Sequence, residues 1–164
     1  ENIVLIGMPS GGKSTVGALL AEKLGRPFVD VDDHISEAAG KSIPEIFSED
    51  GEAAFRRIET DVTGDICKGS GSVIACGGGV VTQPRNYDLL HQNATIVLLR
   101  RPIDLLVSDG RPMSIAKGMA TIEKERRRLY EAWADIAVDN DGSPEETVCR
   151  IMDALDARKG GIGR

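Results

Sequence analysis

Short runs of β-branched and apolar residues alternate along this chain with longer stretches in which apolar positions recur at helical spacing. Strands are predicted over residues 2–6 (NIVLI), 27–31 (PFVDV), 72–76 (SVIAC), 95–99 (TIVLL) and 136–138 (IAV). Between them, Val16, Leu19, Leu20 and Leu24 keep one face of a helix apolar, and Val148, Ile151, Met152 and Leu155 do the same near the end. The last helix has a readable start: Ser143 as N-cap, Pro144 at the first position and Glu146 to complete a capping box. Strands without polar alternation, interleaved with helices, imply an α/β fold whose parallel sheet is covered on both faces.

The glycines and charges fall at the ends of these elements. Residues 7–14 read Gly-Met-Pro-Ser-Gly-Gly-Lys-Ser, a complete G-x-x-x-x-G-K-[ST] between an apolar strand and an amphipathic helix. Small residues let successive backbone N–H groups turn inward around phosphate oxygens, and the helix N-terminus adds its positive end. Lys13 supplies a charge for the β and γ phosphates and Ser14 a hydroxyl for Mg²⁺. This loop indicates a nucleoside triphosphate, without saying what is done with it.

Ligands of parallel sheets bind beyond the carboxyl ends of the strands. The second strand ends in Asp30-Val31-Asp32-Asp33, and period-2 geometry puts Asp30 and Asp32 on one side. Such a pair could anchor Mg²⁺ and take a proton from a hydroxyl, or be a solvated terminus with Asp33 capping the next helix. The third strand ends in Gly77-Gly78-Gly79, either a bare backbone for a substrate to approach or a simple turn. On the segment 51–68, Phe55, Ile58, Val62 and Ile66 lie within about 80° of one another at about 100° per residue. Arg56 borders that stripe with Glu59 one turn away, whereas Arg57 points to solvent. On 120–134, Ile122, Leu129 and Trp133 share a face that carries Arg126 but not Arg127 or Arg128. An inward arginine requires an anionic partner, from the protein or from a ligand. Arg111, in Gly110-Arg111-Pro112-Met113, suits a lid that closes on phosphate.

Length and composition add little. The 164 residues suit one domain, expected over 1–158 with an unstructured tail at 159–164; the first residue, Glu1, leaves a trimmed or excised chain open. The net charge of −6 argues against a nucleic-acid partner, and no apolar run is long enough to span a membrane. With no signal peptide visible, a cytoplasmic monomer is expected. Cys67, Cys76 and Cys149 read as reduced core thiols, and His34 and His91 as surface residues.

Taken in order and spacing, these motifs resemble the shikimate kinase family, from Ile3 to about Leu155. The resemblance rests on the phosphate loop, Asp30-x-Asp32, Phe55-Arg56-Arg57-Ile58-Glu59, Gly77-Gly78-Gly79, Arg111-Pro112, and Arg126 ahead of Leu129-Tyr130. It implies a three-layer P-loop NTPase fold with strand order 2-3-1-4-5, a substrate-binding subdomain near 32–60 and a lid near 108–118. It further implies transfer of a phosphoryl group from ATP to the 3-hydroxyl of shikimate. Pro9, Ser10, Gly11, Gly12, Lys13, Ser14 and Thr15 would bind the nucleotide, with Ser14 and Asp30 at Mg²⁺. Asp32 would hold the reacting hydroxyl and take its proton. Arg56, Arg126 and the backbone of Gly77, Gly78 and Gly79 would hold shikimate, and Arg111 would close on the transferring group.

Three features depart from the family pattern. Ser10-Gly11 stands where Gly followed by Ser or Ala is usual, residues 105–110 hold no arginine, and 139–142 lack basic residues. Weaker nucleotide binding or relaxed base preference would follow. Another small-metabolite kinase of this fold, such as a gluconate kinase, and a nucleotide-binding regulatory module without catalysis are the alternatives.

Overall fold

The computed structural model describes residues 1–9, 11–106 and 113–162. Its centre is β1 (Asn2–Ile6), every residue of which is buried. Around it lie β2 (Phe28–Asp30), β3 (Val73–Ala75), β4 (Ala94–Arg100) and β5 (Ile136–Asp139), all parallel, in the order β2-β3-β1-β4-β5. Successive side chains of β1 point to opposite faces, so one strand serves two cores. Ile3 and Leu5 pack with Val16, Leu20, Val148 and Ile151 of α1 (Lys13–Leu24) and α8 (Pro144–Ile162). Val4 and Ile6 pack in the other core with Ile35, Phe55, Leu90 and Trp133. Those four belong to α2 (Val31–Ala39), α4 (Glu52–Ile66), α5 (Pro84–His91) and α7 (Met113–Trp133). The result is a three-layer P-loop NTPase fold.

Residues 32–60, where a substrate-binding subdomain is expected, fall on α2, α3 (Ile43–Asp50) and the first half of α4. Ser42 starts α3 through a reciprocal capping box with Glu45, and Phe47 of α3 stacks on Phe55 of α4, ring centroids 4.6 Å apart. The short α6 (Ile103–Leu106) follows β4. Of the expected lid, residues 113–118 form the start of α7, and 108–112 lie outside the described residues.

Four details differ from the sequence reading. The second strand stops at Asp30, because Asp30 caps α2: its Oδ1 accepts the Asp32 N–H at 2.9 Å. Asp30 and Asp32 are therefore related by a helix cap, not by a strand pleat, and Asp33 is not the cap. Leu129 is 38% exposed; Met119, Tyr130 and Trp133 define the inward face of α7, and Leu129 falls about 70° from its middle at about 100° per residue. Cys67 and Cys76 are buried, whereas Cys149 is exposed, rotated about 100° from the inward Val148. Finally, α8 runs through Ile162 and takes in residues 159–162 of the expected tail, since extending a formed helix is far easier than starting one.

Candidate active site

The phosphate loop is shaped by two close approaches of backbone and one left-handed glycine. At Gly7 (φ 150°) a Cβ would lie 2.8 Å from the Leu99 carbonyl oxygen, and at Gly11 one would lie 2.9 Å from the Met8 carbonyl oxygen. Gly11 N–H donates to that same Met8 oxygen at 3.0 Å, closing a tight turn. Gly12 then takes a left-handed conformation (φ 85°, ψ 14°) as the loop enters α1. Among the described residues no side chain caps this helix, whose first turn lines the cleft, so its N–H groups there are left for a ligand. The shifted glycine at position 11 thus has a steric reason; Ser10 lies outside the described residues.

Lys13 folds back across the loop. Its Nζ donates to the carbonyl oxygens of Gly7 at 2.9 Å and Met8 at 2.7 Å, and the residue is 7% exposed. Burial lowers its pKa to about 8, against the opposing pull of Cys76, Asp32 and Asp30. Beside it, Ser14 Oγ donates to Asp30 Oδ2 at 2.6 Å. Asp32 is held above the usual carboxylate range, first by burial and then by the Asp30 charge, while Lys13 pulls the other way. Pro9, Gly11, Gly12, Lys13, Ser14, Thr15, both aspartates and the Cys76-Gly77-Gly78 turn share one cleft of about 390 Å³.

The three glycines after β3 make room for groups of the protein itself. A Cβ on Gly77 would lie 2.9 Å from Asp32 Oδ1, one on Gly78 would lie 2.5 Å from the Pro9 ring, and one on Gly79 would strike the Arg56 guanidinium. Their carbonyls are all engaged: Gly77 accepts from Val80 N–H at 3.2 Å, Gly79 from Thr82 N–H at 3.0 Å, and Gly78 from the Tyr130 hydroxyl at 2.7 Å. Phosphate loop, α2 and α4 therefore meet along this seam.

Arg56 donates to Glu59 Oε1 at 3.1 Å. Glu59 is fully buried, and among the described residues neither its second oxygen nor Arg56 Nε has a hydrogen-bond partner. Burial raises the Glu59 pKa, while Arg56 lowers it. From the other side, burial raises the pKa of the Tyr130 phenol while the nearby Arg126 lowers it, and the Tyr130 hydroxyl donates to the Gly78 carbonyl at 2.7 Å. Arg57, Arg127 and Arg128 are exposed, as the helical phases require. Tyr130 escaped the sequence reading as a site residue; its signal was a buried-face tyrosine one turn after Arg126. The structure thus brings together Lys13, Ser14, Thr15, Asp30, Asp32, Arg56, Arg126 and Gly77–Gly79, while Arg111 lies outside the described residues. Among the described residues, no helix is long and apolar enough to cross a membrane.

Comparison with known proteins points one way. The family model described as shikimate kinase matches residues 9–156. A shikimate kinase of Synechococcus elongatus is 38% identical, over 94% of this chain and 86% of its own length. The shikimate kinase of Acinetobacter baumannii, solved in complex with shikimate, superposes with a TM-score of 0.91 at 32% identity, covering 96% of this chain and 94% of that one. A gluconokinase from Sinorhizobium meliloti reaches a TM-score of 0.60 at 18% identity, over 96% of each chain, which is a likeness of fold alone.

The lowered pKa of Lys13 has a measurable consequence. A polyphosphate bound there would restore positive charge, so binding near pH 8 is expected to take up a proton and affinity to fall above about pH 8, by up to about tenfold per pH unit. By the same linkage, the ligand-free fold gains stability from Lys13 as pH rises from about 8 toward 10.5. Calorimetry of nucleotide binding in two buffers of different ionisation enthalpy reads the proton directly. A pH-independent affinity without proton uptake contradicts the assignment.

Proposed function

The chain belongs to the shikimate kinase family, whose members transfer a phosphoryl group from ATP to shikimate, and from that premise we propose which residues hold each reactant. The observation that carries the reading is the glycine seam, which sets the Asp32 carboxylate, the phosphate loop and the Arg56 guanidinium against one short stretch of backbone. The β and γ phosphates of ATP lie in the loop from Pro9 to Thr15, under Lys13. The shikimate carboxylate lies between Arg56 and Arg126, where the unpartnered, buried Arg56 Nε supports a place for an anion. The 3-hydroxyl then faces Asp32.

Ser14 and Asp30 offer a hydroxyl and a carboxylate 2.6 Å apart, hard oxygen donors that suit Mg²⁺ when phosphate and water complete its shell. Bound there, the ion supplies neutralisation of charge on the phosphates. The chain's own groups do the rest. Asp32, its pKa raised by burial and by Asp30, accepts the proton of the hydroxyl as the new O–P bond forms and the bond to ADP breaks. Lys13 stabilises the developing charge, and Arg111 is assigned to the closing lid from the family resemblance alone. Positioning and electrostatics account for catalysis of this type.

A coupled ADP-release assay over shikimate, gluconate and nucleoside monophosphates tests the function. Turnover with shikimate is expected; turnover only with the others rejects the reading. Asp32→Asn is expected to lower kcat by roughly 10²–10⁴ with nucleotide affinity nearly intact. An unchanged kcat removes Asp32 from the role of base. Arg126→Lys replaces a fork by a point charge, and KM for shikimate should rise roughly ten- to hundredfold. Arg127→Lys is the control: Arg127 is exposed and paired with Glu123 at 2.7 Å, so its KM should stay within about twofold. The reverse order of harm would put the wrong arginine on the acceptor.

A further inference from the structure

The connection between β5 and α8 is mostly exposed, yet Asn140 within it is only 3% exposed. All four of its polar groups are engaged. Its N–H donates to the Arg100 carbonyl at 2.7 Å, and its own carbonyl accepts from Arg101 at 2.8 Å. Its side-chain Nδ2 donates to the Gly11 carbonyl at 2.7 Å, and Oδ1 accepts from the Thr147 hydroxyl at 2.6 Å. The orientation of the amide is fixed by this pattern, because a backbone carbonyl only accepts and must face the nitrogen.

We propose that Asn140 is a positioning residue for phosphate binding, turning the Gly11–Gly12 peptide so that the Gly12 N–H faces the phosphates. A trans peptide is planar, with its C=O and N–H directed to opposite sides. Asn140 is not part of the cleft wall, whereas Gly11 and Gly12 are. A Gly11 carbonyl drawn toward Asn140 therefore leaves the Gly12 N–H directed into the cleft. The same amide accounts for glycine at position 12, since a Cβ there would lie 2.9 Å from Nδ2. Thr147 acts one step back: its hydroxyl holds Oδ1 and so presents Nδ2 to the loop. In this chain the segment after β5, without basic residues, contributes to nucleotide binding through backbone geometry instead of through charge.

The proposal rests on residues 7–14 being the nucleotide loop, and the experiment separates the two. Dissociation constants for MgADP, magnesium pyrophosphate and shikimate are measured calorimetrically, with Tm, for the parent protein, Asn140→Leu, Thr147→Val and the double variant. Asn140→Leu should weaken MgADP and pyrophosphate about tenfold and leave shikimate within about twofold. Thr147→Val, which keeps Asn140 in place, should weaken the same two ligands about threefold, and the double variant should be no worse than Asn140→Leu. Unchanged pyrophosphate affinity in Thr147→Val overturns the proposal even if Asn140→Leu fails to fold. So does a parallel loss of shikimate and nucleotide affinity that follows Tm. A parent protein that binds no MgADP would reject the loop assignment itself.

Discussion

A Cβ at Gly77, Gly78 or Gly79 would come within 3.0 Å of a neighbouring group and displace it. The space belongs to Asp32, the Pro9 ring and Arg56, which arrive from α2, the phosphate loop and α4. The sheet order explains why they meet here. The chain steps from β1 out to β2, returns through β3 beside β1, and only then crosses to β4 and β5. The carboxyl ends of β1 and β3 are thus neighbours at the point where the winding reverses, the usual place for a ligand in such sheets. A side chain at position 78 would press on Pro9 of the phosphate loop, and side chains at 77 and 79 would press on Asp32 and Arg56.

Around that seam the site holds more charge than its own groups can satisfy. Lys13 and Glu59 are buried, Asp32 is pushed toward its neutral form, and Arg56 keeps one donor unpartnered. Such groups weaken a ligand-free fold unless a partner arrives. The proposed reactants are such partners: polyphosphate charge beside Lys13, and a carboxylate beside Arg56 and Arg126. Binding energy and the electrostatics of phosphoryl transfer then have one source, a polar cleft set on two apolar cores.

Much of this was legible in the sequence where the signal is local. Short β-branched apolar runs located the five strands, the loop motif located the nucleotide end, and helical phase separated Arg56 from Arg57 and Arg126 from its neighbours. What was misread was a local competition: Asp30 could extend a strand or cap a helix, and its bond to the Asp32 N–H decided for the cap. What was missed is long-range. Tyr130 meets Gly78 across 52 positions and Asn140 meets Gly11 across 129, separations at which no periodicity carries information. The glycines were noticed as open backbone; that they accommodate the protein's own groups could be learned only once those groups were placed.

The most direct test of this account is a crystal structure of the chain with shikimate, Mg²⁺ and a non-hydrolysable ATP analogue. The expected complex has the shikimate carboxylate on the Arg56 and Arg126 guanidinium groups, and its 3-hydroxyl hydrogen-bonded to Asp32 beside the terminal phosphate. A complex in which the carboxylate lies away from both arginines, or another hydroxyl faces Asp32, would contradict it.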